Sequence, residues 1–415
     1  MTERIRETDV AVIGGGPAGL AAAAAAAKQG AYVTLIDRNP QLGGILNQCI
    51  HDGFGLHAFG EVLTGPEFAD RYVQQATQAG VHLESDTLVT RLAPDGEIVC
   101  SRYGQRTRLR AKATVLAMGC RERTRGMIRI PGSRPAGVYT AGTAQWLTNL
   151  ANVRIGRRVV ILGSGDIGLI MARRLTWEGA EVIAVIEKLP YPSGLPRNIN
   201  QCLLDYKIPL YLSHSVTCIH GKNRLERVTV SRFDEPGTPV AGSELNLDCD
   251  TLLLSVGLIP ENELSRRAGV VLDRTTSGAT IGSSYMTNVP GIFSCGNVLH
   301  IHDLADWASE EGARAGAAAA RYVDGKAGEV TPEASIPIQP GRGIRYVVPQ
   351  RVSPATGEAL LSFRVTEPAD DRTIEAISGG GTIGSLRLRK THPATMVQMH
   401  IGTDDLTEPV EVRCT

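Results

Sequence analysis

Apolar residues along the chain gather into short runs separated by glycine-rich turns. Val10-Ala-Val-Ile13 reads as a strand, then Gly14-Gly15-Gly16-Pro17-Ala18-Gly19 as a turn, then an alanine-rich helix to about Lys28 and a second strand ending at Asp37. The succession returns at Arg158–Leu162, Gly163-Ser164-Gly165-Asp166-Ile167-Gly168 and Glu181–Ile186, this time ending at Glu187. Further on, Thr287–Val298 predicts a strand running into Cys295-Gly296-Asn297, with a long helix from Asp303 or Asp306 to Val323. After Pro332, Pro337 and Pro340, strand-like runs at Ile344–Val348, Leu360–Val365 and Ser385–Arg389 alternate with Gly, Pro and Asp turns, which predicts a small all-β appendage.

Each glycine turn follows a strand, opens a helix and precedes a carboxylate at the end of the next strand. In such a dinucleotide fingerprint the first glycine permits the tight turn and the second lets the backbone approach a pyrophosphate. The third lets helix and strand pack closely. The pyrophosphate lies at the helix N-terminus, where unpaired amides and the helix dipole favour an anion. Asp37 and Glu187 are positioned to accept ribose hydroxyls. Two such sites in one chain suggest two cofactors and electron transfer between them.

Composition narrows the partners. Lys+Arg and Asp+Glu both total 43 among 415 residues, so no net field draws the chain to nucleic acid or acidic lipid. Hydrophobic content of 42% with 21% charged residues suits a folded globule. No apolar run approaches the roughly 20 residues that span a bilayer, and the acidic N-terminal segment does not fit a targeting peptide, so a cytoplasmic protein is expected. The eight cysteines (49, 100, 120, 202, 218, 249, 295 and 414) are dispersed without a Cys-x-x-Cys pair, leaving no local framework for zinc or an iron–sulfur cluster. Reduced thiols and no metal are therefore expected.

The order of these motifs, together with Thr114-Val-Leu-Ala-Met-Gly119 and Leu252-Leu-Leu-Ser-Val-Gly257, resembles the two-dinucleotide-binding-domain flavoproteins of the thioredoxin-reductase and glutathione-reductase superfamily. Whole phrases at 43–57, 63–67, 197–206, 295–304 and 341–346 are similar to FAD-dependent oxidoreductases that accompany anaerobic-type glycerol-3-phosphate dehydrogenases. They also resemble the larger subunits of opine-oxidase and hydrogen-cyanide-synthase complexes. The resemblance implies an α/β fold of two Rossmann-like domains, the NAD domain inserted in the FAD domain, plus a small C-terminal β domain. The expected spans are 1–119 and 281–328 for FAD, 120–280 for NAD(P) with its connecting segments, and 329–415 for the β-rich domain. It further implies that FAD is held by Gly14, Gly16, Pro17, Ala18, Gly19, Asp37, Arg38, Gly43, Gly44, Gly119, Gly296, Asn297, Trp307 and Ala308. The nicotinamide nucleotide is expected at Gly163, Gly165, Asp166, Ile167, Gly168 and Glu187. Asn297 replaces the superfamily's usual Asp, and its amide carbonyl can still accept a hydroxyl hydrogen bond.

Glu187 favours NADH by opposing a 2′-phosphate, although Lys188 leaves NADPH open. Cys49, His51 and His302 are the candidate catalytic residues. Cys49 is either a packed residue or a peroxidase-like thiol activated by His51, and His300 and His302 are either packed groups or proton carriers. Disulfide exchange is disfavoured because neither expected cysteine pair is present. The function expected is hydride transfer between NAD(P)H and FAD with electrons exchanged with a second flavoprotein dehydrogenase subunit, or within a homo-oligomer. The rivals are a stand-alone NADH oxidase or peroxide reductase using Cys49, and a non-catalytic FAD-binding scaffold or redox sensor.

Overall fold

A computed structural model describes residues 5–234, 237–325 and 335–415. The chain forms two compact units, one of Met1–Cys120 with Pro260–Thr415 and one of Arg121–Ile259. In the first unit, β1 (Ile5–Ile13) leads through the glycine turn into α1 (Pro17–Lys28) and β2 (Val33–Ile36). β3 (Gln105–Leu116) lies parallel to β1 on the other side. β3 is long enough to serve two partners on its outer edge. Its first half pairs antiparallel with Glu97–Arg102, and its last residues pair parallel with β4 (Ile292–Ser294). His82–Glu84 extends the sheet beyond β2, giving five parallel strands; side chains on both faces are buried along Val10–Ile13, β2, β4 and the last four residues of β3, as a covered parallel sheet requires.

α2 (Ala305–Val323) crosses α1 on one face of this sheet. Small residues permit the contact. A Cβ built on Gly312 would sit 2.1 Å from the Ala18 carbonyl oxygen, and one on Gly316 would sit 2.0 Å from that of Ala22. Glycine in a helix interior costs about 1 kcal/mol relative to alanine, and here the close backbone approach offsets that cost.

The second unit repeats the plan with five parallel strands, Val138–Thr140, Thr251–Leu254, Arg158–Leu162, Glu181–Ile186 and Leu210–Tyr211 in spatial order. A three-stranded antiparallel sheet of residues 214–221, 225–232 and 245–248 is added to it. The C-terminal strands form a five-stranded and a three-stranded sheet around their own core, including Ile338, Leu361, Phe363, Ile374 and Val412. No described helix is long and apolar enough to cross a membrane.

Three boundaries differ from expectation. Residues 260–280 belong to the first unit, not to the inserted segment, because Ala268 and Val270 enter the core that holds Ala11 and Ile36. The Asn262 side chain also donates to the carbonyls of Ser277 (2.9 Å) and Val298 (2.8 Å), tying this stretch to the β4 region. The β-rich portion is part of the first compact unit, with Tyr346 and Val348 packed into the same core. β1 begins at Ile5 instead of Val10, since polar residues Arg6, Glu7 and Thr8 pair with β3 at the exposed end of the sheet. The expected junction at 328/329 and Pro332 lie outside the described residues.

Candidate functional site

The glycine turn of the first unit is held by the acid that follows β2. The Gly15 amide donates to Asp37 Oδ2 at 2.6 Å, and Asn39 donates to Oδ1 at 2.7 Å. Gly14 has φ +109°, and a Cβ there would lie 2.3 Å from the Ala117 carbonyl oxygen. Gly19 is pressed against the Gly14 carbonyl oxygen at 1.8 Å by the same construction. Gly16 is different: a Cβ built on it would meet nothing within 4 Å. It caps α1 in an extended conformation, no side chain bonds to the cap, and Pro17 fills the first helical turn. The result is open space at a helix N-terminus with backbone amides available to an anion.

Other expected residues converge on this turn. A Cβ on Gly44 would approach Gly16 Cα at 3.1 Å, and one on Gly296 would approach Ala18 Cβ at 2.6 Å. Gly43 has φ +114° and precedes a short 3-10 turn, Gly44–Gln48. Gly119 borders open space at the end of β3, and Ala308 is a buried residue of the first turn of α2. Arg38 is exposed beside Asp37. Trp307, at the start of the same helix, stacks on His57 with ring centroids 4.6 Å apart. It lines a cavity of about 530 Å³ whose walls come from α1, the 57–59 segment, the 65–78 helix and α2.

The second unit is built alike. Gly163 has φ +97°, Gly165 caps the Asp166–Trp177 helix, and Gly168 packs on the Gly163 carbonyl oxygen. Ile167 is half-buried behind the turn, and Asp166 accepts from the Leu195 amide (2.8 Å) and Asn198 Nδ2 (2.7 Å). Glu187 accepts from the Ser164 amide (2.9 Å), Ser164 Oγ (2.5 Å) and Ser193 Oγ (2.8 Å) on one oxygen and from the Leu189 amide (3.0 Å) on the other. A ribose diol would have to share this buried carboxylate with Ser193.

Of the candidate catalytic residues, Cys49 is half-buried with Sγ 3.4 Å from the Ile45 carbonyl oxygen. His51 holds the Asp52 carbonyl at 2.8 Å. Burial pushes the Cys100 thiol up to about 11 and the Cys249 thiol up to about 12, and it raises Cys202 and Cys295 as well, so these four are protonated.

His302 belongs to a buried network that spacing alone did not reveal. Asn297 Oδ1 accepts from the His302 amide (2.9 Å) and faces its Nδ1 (3.2 Å), while Asn297 Nδ2 points at Cys120 Sγ (3.7 Å). This is the amide carbonyl expected to face a cofactor hydroxyl. Glu311, in the second turn of α2, accepts from the Gly296 amide at 2.6 Å and faces His300 Nε2 at 2.8 Å and His302 Nε2 at 3.6 Å. Burial would raise the Glu311 carboxyl, but the two histidines outweigh it and hold the group below the usual carboxylate range. Burial lowers His300 against the pull of Glu311.

Asp306 was also missed as a side chain. Its carboxylate accepts from the amides of Gly55 (3.2 Å), His57 (3.1 Å) and Ala58 (3.0 Å), pinning that loop to α2. Asp306→Ala leaves the buried Gly55 amide unpaired, which should cost about 1–3 kcal/mol and speed proteolysis near residue 57. An unchanged denaturant midpoint and digestion pattern would show that the clamp is dispensable.

Residues 8–312 match the family model described as pyridine nucleotide-disulphide oxidoreductase. The glutamate synthase [NADPH] small chain of Mycobacterium tuberculosis is 27% identical over 76% of this chain and 67% of its own length. An opine oxidase subunit of Agrobacterium tumefaciens is 26% identical over 64% of this chain and 55% of its own. Among solved structures, T. acidophilum thioredoxin reductase aligns with TM-score 0.63 and 23% identity, covering 77% of this chain and 99% of that one, a likeness of fold. The chain belongs to the pyridine nucleotide-disulphide oxidoreductase family, whose members are oxidoreductases that use FAD together with a nicotinamide nucleotide.

Proposed function

We propose that this chain takes hydride from NADH onto FAD and hands the electrons to a second protein subunit, without a cysteine pair. The observation that carries the reading is the duplicated cradle. Each glycine turn donates a backbone amide to the acid ending the next strand, Gly15 to Asp37 and Ser164 to Glu187, and each turn opens a helix. The space over Gly16 fits a pyrophosphate, so FAD is assigned to Gly14, Gly16, Pro17, Ala18, Gly19, Asp37, Gly43, Gly44, Gly119 and Gly296. When bound there, FAD would supply a ring able to take two electrons from a nicotinamide. The chain's own part is to hold the phosphates on backbone amides and to keep the Asp37 and Glu187 carboxylates oriented. Glu187 in its buried setting favours a ribose diol over a 2′-phosphate, whose charge it would repel.

Electron delivery to a partner is supported by the names of two relatives, the small chain of a synthase and one subunit of an oxidase. Protonation of four buried thiols supports a route that bypasses disulfide exchange. Anaerobic rapid mixing tests the proposal. NADH should bleach the flavin absorbance at lower concentration than NADPH, and dye acceptors should be reduced equally well by Cys49→Ser. Absence of bleaching overturns hydride transfer, and loss of dye reduction in Cys49→Ser replaces the partner route with thiol chemistry.

A further inference from the structure

We propose that His300, His302 and Glu311 bind a divalent metal ion of the zinc class, which fastens α2 to the segment following Gly296. Their ligand atoms all lie within 4.8 Å of one another, and their side chains are 1%, 2% and 7% exposed. Two imidazoles and a carboxylate form a set that suits zinc and its first-row neighbours.

Hydrogen positions supply the argument beyond proximity. The His302 backbone amide is an unambiguous donor to Asn297 Oδ1, which fixes the orientation of the Asn297 amide. The same oxygen faces His302 Nδ1, so that ring nitrogen carries a proton. His302 Nε2 faces Glu311 Oε2 across 3.6 Å. A cation seated between them would be ligated by both, and His300 Nε2 lies 2.8 Å from the same carboxylate oxygen. Among the described residues, no Lys or Arg forms an ion pair with Glu311. His300 completes the third side, with its Nδ1 buried and without a hydrogen-bond partner. Ligation through His300 Nε2 moves the proton it now shares with Glu311 Oε2 to that vacant Nδ1, so the tautomeric change leaves the ring neutral. Asn297 behind His302 and the Gly296 amide behind Glu311 Oε1 orient the ligands, as outer partners do in metal sites.

Because the ligands are buried, the ion must enter as the chain folds. The test therefore expresses the full chain in zinc-supplemented medium, purifies it without chelator and measures metal and flavin per chain. The expected result is about one zinc per chain, falling roughly tenfold or more in His302→Gln and in Glu311→Gln, each of which removes one ligand of the site. Cys49→Ser should keep its zinc, which excludes adventitious thiol binding. In wild-type protein grown with cobalt, a visible ligand-field band beyond the flavin absorbance provides a readout independent of the variants. Zinc below about a tenth of an equivalent in flavin-replete wild type, or zinc retained in His302→Gln, overturns the proposal. Neither outcome bears on hydride transfer, which is read by flavin bleaching.

Discussion

Gly16→Val is expected to yield a folded, colourless protein. Gly16 has φ −78° and ψ −175°, a conformation open to any residue, and a Cβ there touches no protein atom. Its side chain would fill only the space assigned to the pyrophosphate. Flavin per chain should fall from near one to less than about a tenth, while circular dichroism stays native. The unfolding midpoint should equal that of wild type stripped of flavin, since only ligand linkage is lost. Gly14→Val is the informative contrast: with φ +109° and the Ala117 carbonyl oxygen 2.3 Å from the new Cβ, it should fail to fold. Full flavin occupancy in Gly16→Val would remove the FAD assignment from this turn.

Gly316→Val should be among the most destabilising single changes in the chain. The new Cβ meets backbone, the Ala22 carbonyl oxygen at 2.0 Å, and α1 cannot withdraw without opening the core it shares with β1. The helix-propensity gain of under 1 kcal/mol is small against overpacking of roughly 3 kcal/mol or more. That is a large share of a stability of about 5–15 kcal/mol. Arg321→Ala, on an exposed position of the same helix, should change stability by less than about 0.5 kcal/mol. Equal urea midpoints for the two variants would mean that the helices can separate freely at this point.

Both glycine turns, both acids and the long helix were legible because each is a local pattern: apolar run, glycine spacing, helix, carboxylate. α1 ends at Lys28 and α2 at Val323, where the sequence had placed them. The polar start of β1 escaped because its partners on β3 lie about a hundred residues away and leave no period in Arg6-Glu7-Thr8. Glu311 and Asp306 escaped for a related reason. On a helix rich in charged residues, spacing cannot tell a carboxylate aimed inward at Gly296 or Gly55 from the solvated Glu310, which pairs with Arg314. His300 and His302 were noticed as a pair, yet only the fold supplied the third member.

The order in which the first unit acquires its parts has a consequence for biosynthesis. β3 waits for β4 along part of its edge, and the alanine face of α1 waits for α2, with the whole of Arg121–Ile259 translated in between. The inserted unit contains every strand of its own parallel sheet and can close as soon as Ile259 has left the ribosome. The unit begun first is thus finished last. Until Val323 emerges, α1 carries an uncovered apolar stripe on a nascent chain, the interval in which a chaperone has something to hold.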